Sequence, residues 1–237
     1  MLVITGVNPT ATWGAGEGRL HELPDQTAFA ATVAQATYTV ARAGELGTVF
    51  EAAWSRMVSA RPGPVHLQIP TDVMGERLAA PPVALSGRFY PPETAHRETS
   101  LSNGAVTAAL AACDAVYAPL IIAGGGAQRA SDALIAVAER LEAPVITTTN
   151  GRGLLHGHAL NVPASPSLVS VRSAINDADL VLAVGTEWGQ TDFDVYETGA
   201  VFAPKKLIRV DVDAAQLRTG PPSTLAVHAD AGVFLEA

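Results

Sequence analysis

Six short β-branched runs, several of them nearly unbroken, are separated by Ala- and Leu-rich stretches of helical spacing, and this alternation constrains the chain more than any other feature. The runs are Leu2-Val3-Ile4, Val65 to Ile69, Leu120-Ile121-Ile122, Val145-Ile146-Thr147, Leu180 to Val184 and Leu207 to Asp211. A strand with one wet face alternates apolar and polar residues. A run that does not alternate is covered on both faces, as in parallel sheets flanked by helices. Between the runs, Leu46, Val49, Phe50, Ala53, Trp54 and Met57 make one stripe within a helix expected over Glu45 to Ala60. A second helix, Ser102 to Tyr117, opens on a Ser cap, and a third runs from about Ala130 to Leu141. The alternation predicts the α/β class, with parallel-sheet, three-layer domains.

The periodicity fails over residues 81–100, where Pro81-Pro82, Gly87 and Pro91-Pro92 stand among Arg88, Glu93, Arg97 and Glu98. Tandem prolines fit neither a helix interior nor a central strand, so this stretch reads as a linker between units 1–80 and 101–237. One long surface loop inside a single domain is the alternative. The second unit has at least four strands and reads as self-sufficient. The first has about three strands and two helices and opens inside an apolar strand, so its sheet is expected to be incomplete.

Charge and composition narrow the function classes. With 15 Lys+Arg against 23 Asp+Glu the formal net charge is -8, and no basic cluster offers a surface to a nucleic-acid backbone. At 48% hydrophobic and 16% charged, the chain is too apolar for a disordered tail. Its single cysteine, Cys113, excludes an internal disulfide framework and a Cys-rich zinc site. The N-terminal apolar run is short and lacks a basic flank, and no stretch has the roughly 20 apolar residues a bilayer requires. The expectation is a soluble cytoplasmic protein without a membrane or nucleic-acid partner.

Several groups could carry chemistry. Gly124-Gly125-Gly126 follows a strand and precedes a helix. Such a turn cradles a phosphate or simply packs strand against helix, and Arg129 breaks the dinucleotide fingerprint. Asn150-Gly151-Arg152-Gly153, Gly185-Thr186-Glu187 and the pair Asp211 and Asp213 each end a strand. In a parallel sheet they share the edge where ligands bind. The two aspartates can accept ribose hydroxyls or cap helices. His21, Glu22 and Asp25 form the densest titratable cluster, suited to acid–base work or to a polar surface loop. His66 reads as a hydrogen-bonded structural histidine. His156 and His158 lack a third ligand and are assigned no metal. Trp188 and Tyr196 read as packing residues, and Thr186 to Asp194 as a loop near a ligand.

Arg61-Pro-Gly-Pro-Val-His-Leu-Gln-Ile-Pro-Thr-Asp-Val73 resembles the segment that closes the pyrimidine-binding domain of thiamine-diphosphate-dependent enzymes of the acetolactate synthase and 2-oxo-acid decarboxylase family. Pro119 to Ala127, Ala143 to Thr148, Gly151 to Leu155, Ala178 to Thr186 and Lys206 to Asp213 resemble that family's central domain, in order and in register. Leu20 to Gln26 falls where the family has a Gln-Glu-x-x-Asp-like turn. The resemblance implies a partial pyrimidine-binding domain followed by a Rossmann-like central domain.

It further implies an acetolactate synthase-like enzyme that decarboxylates a 2-oxo acid, with or without carboligation. Thiamine diphosphate and Mg2+ would be its cofactors, and a homodimer or homotetramer its assembly. His21, Glu22 and Asp25 would form one wall of the active site. The family's catalytic glutamate and its Gly-Asp-Gly…Asn diphosphate anchor are not found, so the chain is expected to be a fragment, inactive alone. Gly124, Gly125, Gly126, Thr147, Thr148 and Asp211 match a nucleotide-like crevice that binds FAD in the flavin branch. Gly185 to Asp194 replaces that branch's arginine-bearing loop, which argues against FAD. The same loop resembles decarboxylases of 5-guanidino-2-oxopentanoate type, where Glu187, Asp192 or Asp194 would meet a cationic tail. A non-catalytic nucleotide-binding module is the alternative of another class.

Overall fold

The structure, a computed structural model, describes residues 1–58, 61–78, 101–114, 116–196 and 202–237. The expected linker 81–100 lies outside the described residues. The chain divides into two compact units, Met1–Ala95 and His96–Ala237.

In the first unit, β1 (Leu2–Val7), β2 (Ala36–Thr39) and β3 (Val65–Pro70) form a parallel sheet in the order β1-β3-β2. Strand β3, with Val65, Leu67 and Ile69 alternating with His66 and Gln68, lies at the centre. Its Val65 and Leu67 turn to one face and pack with Ala53 of helix α2 (Leu46–Val58) and with Val40 and Val73. The stripe on α2 supplies Leu46, Val49 and Met57 to this core. Phe50 and Trp54, half-buried on the same helix, stack on each other, ring centroids 6.3 Å apart. The opposite face of the sheet is polar, carrying Thr5, His66, Gln68 and Thr39. Helix α1 (Gln26–Ala31) lies on β2 and β3, and a one-turn helix α3 (Thr71–Met74) follows β3. As an edge strand β1 is half open, with Ile4 54% exposed.

The second unit is a six-stranded parallel sheet in the order β6-β5-β4-β7-β8-β9. These strands are β4 (Pro119–Ala123), β5 (Val145–Thr147), β6 (Asn161–Val162), β7 (Leu180–Val184), β8 (Leu207–Asp211) and β9 (Leu225–His228). Ile121, Leu182 and Ile208 pack under α5 (Ser131–Leu141) and α8 (Ala231–Glu236), which contribute Leu134 and Leu235. Ile122, Val181 and Leu207 pack on the other face with Val171 and Ile175 of α6 (Val169–Asp177). This coverage of both faces makes the three layers and explains the unbroken runs.

Helix α4 (Asn103–Cys113) is capped by Ser102, whose hydroxyl accepts from the Ala105 N–H at 3.2 Å. It ends four residues earlier than the expected Tyr117. Asp114 turns extended, and the Tyr117 and Ala118 N–H groups donate to Asp179 at 2.7 and 3.0 Å, delivering the chain into β4. Among the described residues no helix is long and apolar enough to cross a membrane.

Candidate functional site

The turn between β1 and α1 carries the densest titratable cluster, and its three members have different environments. The Glu22 carboxylate folds back on the chain and accepts the Arg19 N–H at 2.9 Å and the Gly16 N–H at 2.8 Å. These backbone donors, Arg19 first, hold it below the usual carboxylate range. The glycines at 14, 16 and 18 adopt left-handed backbone that lets the loop wrap this carboxylate. Asp25 caps α1, accepting the Thr27 hydroxyl at 2.6 Å and the Ala28 N–H at 2.9 Å, and the Thr27 contact leads in lowering its pKa. Both carboxylates are thus engaged in shaping the turn. His21 makes no hydrogen bond among the described residues; it is exposed and sits at a left-handed φ of 60°. Asp72, after β3, accepts the Thr10 hydroxyl at 2.6 Å and anchors the stretch leading into the turn.

In the second unit the chain leaves β4, builds β5 and β6 on one side, then crosses to build β7, β8 and β9 on the other. The switch point therefore falls between β4 and β7, where open α/β sheets form a ligand crevice. Here the two turns close on one another. A β-carbon on Gly126 would stand 2.8 Å from the Gly185 Cα, and one on Gly151 2.4 Å from the Ala123 carbonyl oxygen. A β-carbon on Gly125 would stand 3.0 Å from the Asn150 Cβ. Thr148 is buried, and its N–H joins the Ala123 carbonyl at 3.0 Å. The Asp211 carboxylate accepts the Asp213 N–H at 2.8 Å, and Asp213 in turn accepts the Ala215 N–H at 2.8 Å. Both aspartates shape the turn that follows β8.

The loop after β7 is held at two places. Asp192, in the one-turn helix α7 (Gln190–Phe193), accepts the Thr149 N–H at 3.0 Å. The Glu187 carbonyl accepts the Gln216 side-chain amide at 2.8 Å. Gln216 is fixed from below by Arg209, a guanidinium 1% exposed in β8 that donates to the Gln216 carbonyl at 3.2 Å and to the Thr219 carbonyl. Burial lowers the Arg209 pKa, opposed by the neighbouring Asp211 carboxylate. Trp188 packs as expected, its ring centroid 5.2 Å from Phe193 and 5.6 Å from Phe202. Tyr196 does not: it is 61% exposed, with its hydroxyl on Thr191. Glu187 and Asp194 lie exposed, while Asp192 is half-buried.

Thr147 lines a cavity of about 280 Å3 with Thr149, Arg152, His156, Asn161 and Ser165. Sequence reading placed Arg152 at the ligand edge of the sheet but did not foresee this cavity, which needs the turn after β6 to complete it. His158 lies apart. Its Nδ1 accepts the Leu160 N–H at 3.2 Å and its Nε2 contacts Glu139 at 3.1 Å. Among the described residues no group of three His, Cys, Asp or Glu side chains converges to hold a metal.

A family model for the central domain of thiamine pyrophosphate enzymes matches residues 105–237. The chain is 39% identical over 238 residues to the probable 2-ketoarginine decarboxylase AruI of Pseudomonas aeruginosa, covering 100% of this chain and 41% of the relative. It is 30% identical over 247 residues to the acetolactate synthase large subunit of Parasynechococcus marenigrum, covering 99% and 38%. Against the probable acetolactate synthase large subunit of Methanocaldococcus jannaschii the identity is 27% over 243 residues, covering 98% and 39%. The chain thus spans about two-fifths of the length of these relatives.

Proposed function

Because the chain belongs to the thiamine pyrophosphate enzyme family, we propose that it forms part of an enzyme that decarboxylates a 2-oxo acid bearing a cationic, guanidino-type tail. The observation that carries this reading is the 39% identity, along the whole chain, to a relative named for 2-ketoarginine decarboxylation. Identity to the acetolactate synthases is lower, at 30% and 27%.

Thiamine diphosphate, bound elsewhere in the enzyme, would supply the nucleophilic carbon and the electron sink that decarboxylation of a 2-oxo acid requires. The described residues do not fit its magnesium–diphosphate anchor, because no acidic or imidazole cluster converges. That anchor is assigned to other parts of the enzyme, and no step of this chain's chemistry runs through it. The contribution of these residues is positional. The turn with Glu22 and Asp25 held as carboxylates presents His21 as the side chain free to meet a substrate or to move a proton. In the second unit, Glu187 and Asp194 offer exposed carboxylates to a cation, and Asp192 braces the loop that carries them.

The turns after β4 and β7 meet backbone to backbone at the switch point, and the loop after β7 lacks an arginine, which supports reading the second unit without FAD. The second unit therefore serves as a scaffold without FAD, in an enzyme that assembles as a homodimer or homotetramer.

The test uses the complete protein with thiamine diphosphate and Mg2+, measuring carbon dioxide released from 5-guanidino-2-oxopentanoate and from pyruvate. The expected products from the guanidino acid are one carbon dioxide and one 4-guanidinobutanal, with pyruvate a poor substrate. Preferred turnover of pyruvate to acetolactate would replace this reading with the carboligase one. No carbon dioxide from any 2-oxo acid would end both.

A further inference from the structure

The polar face of the first unit's sheet holds one chain of hydrogen bonds whose purpose packing does not explain. His66 is 4% exposed in the central strand β3. Its Nε2 lies 2.9 Å from the Thr5 hydroxyl in β1. That hydroxyl accepts from the Gln26 side-chain amide at 2.8 Å, and the same amide reaches the Gly6 carbonyl at 3.2 Å. Gln26 is the first residue of α1, directly after the Asp25 cap.

The Thr5 oxygen has one proton and two lone pairs, so with Gln26 donating to it, His66 Nε2 accepts the Thr5 proton in one tautomer and donates to Thr5 in the other. In both, the Thr5 bond engages Nε2 alone. His66 Nδ1 is buried without a partner, and so is Gln68 Oε1 on the same face of β3. Burying an imidazole with one of two nitrogens unsatisfied costs stability, whereas a leucine of similar volume would fill the site without that cost. Among the described residues Thr5 is the one hydrogen-bond partner of the His66 side chain, and through it the imidazole reaches Gln26.

We propose that His66 is a positioning residue, which through Thr5 and Gln26 fixes the start of α1 to the central strand and so sets the turn that presents His21. The inference rests on reading that turn as the reactive side of the first unit. The far end of the turn is tied more weakly, by the Asn8 amide on the Leu20 carbonyl at 3.4 Å.

The test compares His66→Leu, Thr5→Val, Thr5→Ser and the His66→Leu/Thr5→Val double variant in the complete protein. Melting, amide exchange and the imidazole NMR signals of His21 are measured for each. In His66→Leu the melting temperature holds or rises, while amides of α1 exchange about tenfold faster, the loss of one hydrogen bond from a local opening equilibrium. Amides of α2 keep their rates, and the His21 signals move toward those of free histidine. Thr5→Val speeds α1 exchange to the same extent but melts lower, because it leaves both His66 nitrogens without a partner; the double variant exchanges no faster in α1 than either single one, and Thr5→Ser keeps the parent behaviour. Unchanged α1 exchange in both single variants would overturn the proposal. A fall in melting temperature with exchange raised equally across β1, β2 and β3 would also overturn it, leaving His66 a folding residue. None of these readouts involves turnover, so they stand or fall separately from the carbon dioxide assay.

Discussion

Gly124 and Gly185 touch backbone to backbone: a β-carbon on Gly124 would stand 2.3 Å from the Gly185 carbonyl oxygen. Gly185 itself has a left-handed φ of 58°, and its own β-carbon would meet the Gly126 Cα at 2.7 Å. Neither neighbour is the end of a flexible side chain, so the overlap has no cheap relief. Gly124→Ala is expected to destabilise the second unit by about 3 kcal/mol or more, as overpacking against fixed backbone does. Gly47→Ala in α2, where nothing lies within 4 Å, is the control; it should be neutral or stabilising by up to about 1 kcal/mol. Urea unfolding of the two variants checks both signs. Equal stability of Gly124→Ala and parent would mean that the turns after β4 and β7 stand apart, leaving room for a ligand.

Ser102 is the cap of α4, and its hydroxyl satisfies the Ala105 N–H that the first turn would otherwise leave free. Ser102→Ala should cost about 1 kcal/mol and Ser102→Asp almost nothing. Thermal melts of the second unit's transition report the difference.

The strands were legible because burial on both faces writes itself into the sequence. Val181 and Leu182 are both buried, one on each face of the sheet, and only an unbroken run can do that. The short elements were not. Strand β6 spans two residues and carries no period, and α1 depends on a cap bond from Asp25 rather than on an apolar stripe. At the candidate site the sequence brought His21, Glu22 and Asp25 together as one cluster, and three-dimensional hydrogen bonding separates their roles. Glu22 reaches back six residues to Gly16, a contact that no local pattern announces. The tie from His66 to Thr5 crosses 61 residues, and its only trace in the sequence is a polar residue at every second position of β3.

Acid should loosen the first unit through the carboxylates that shape its turns. Glu22, Asp25 and Asp72 all have pKa values lowered by backbone and hydroxyl donors, from ordinary values of 4.5, 3.8 and 3.8. Above those ordinary values both folded and unfolded chains are ionised, and the stabilisation is complete. As pH falls below them the unfolded chain binds protons first, so stability is lost progressively through the lower, folded values. Stability should be flat from about pH 7 to 5 as far as these groups are concerned, and fall below about pH 4.5. Glu22→Gln and Asp25→Asn should each flatten that fall, read by circular dichroism across the acid range.

His66 gives a second pH dependence, at a higher range and removable by one substitution. Burial lowers its pKa from 6.5, because the charged imidazolium would lose its hydration. Above about pH 7.5 the imidazole is essentially neutral in folded and unfolded chains alike and contributes almost no slope. Below 6.5 the unfolded chain takes up a proton that the folded chain refuses, so stability falls as pH falls toward the folded value. The slope for one group is at most about 1.4 kcal/mol per pH unit. His66→Leu has nothing to titrate there, so between pH 6.5 and 5 its stability should decline less than that of the parent. The difference between the two chains should vanish above pH 7.5, apart from a constant offset. Parallel stability curves for parent and variant across pH 5 to 8 would show that His66 keeps its ordinary pKa in the fold and is hydrated. The imidazole would then have to be solvated through Nδ1, the atom that has no partner in the structure.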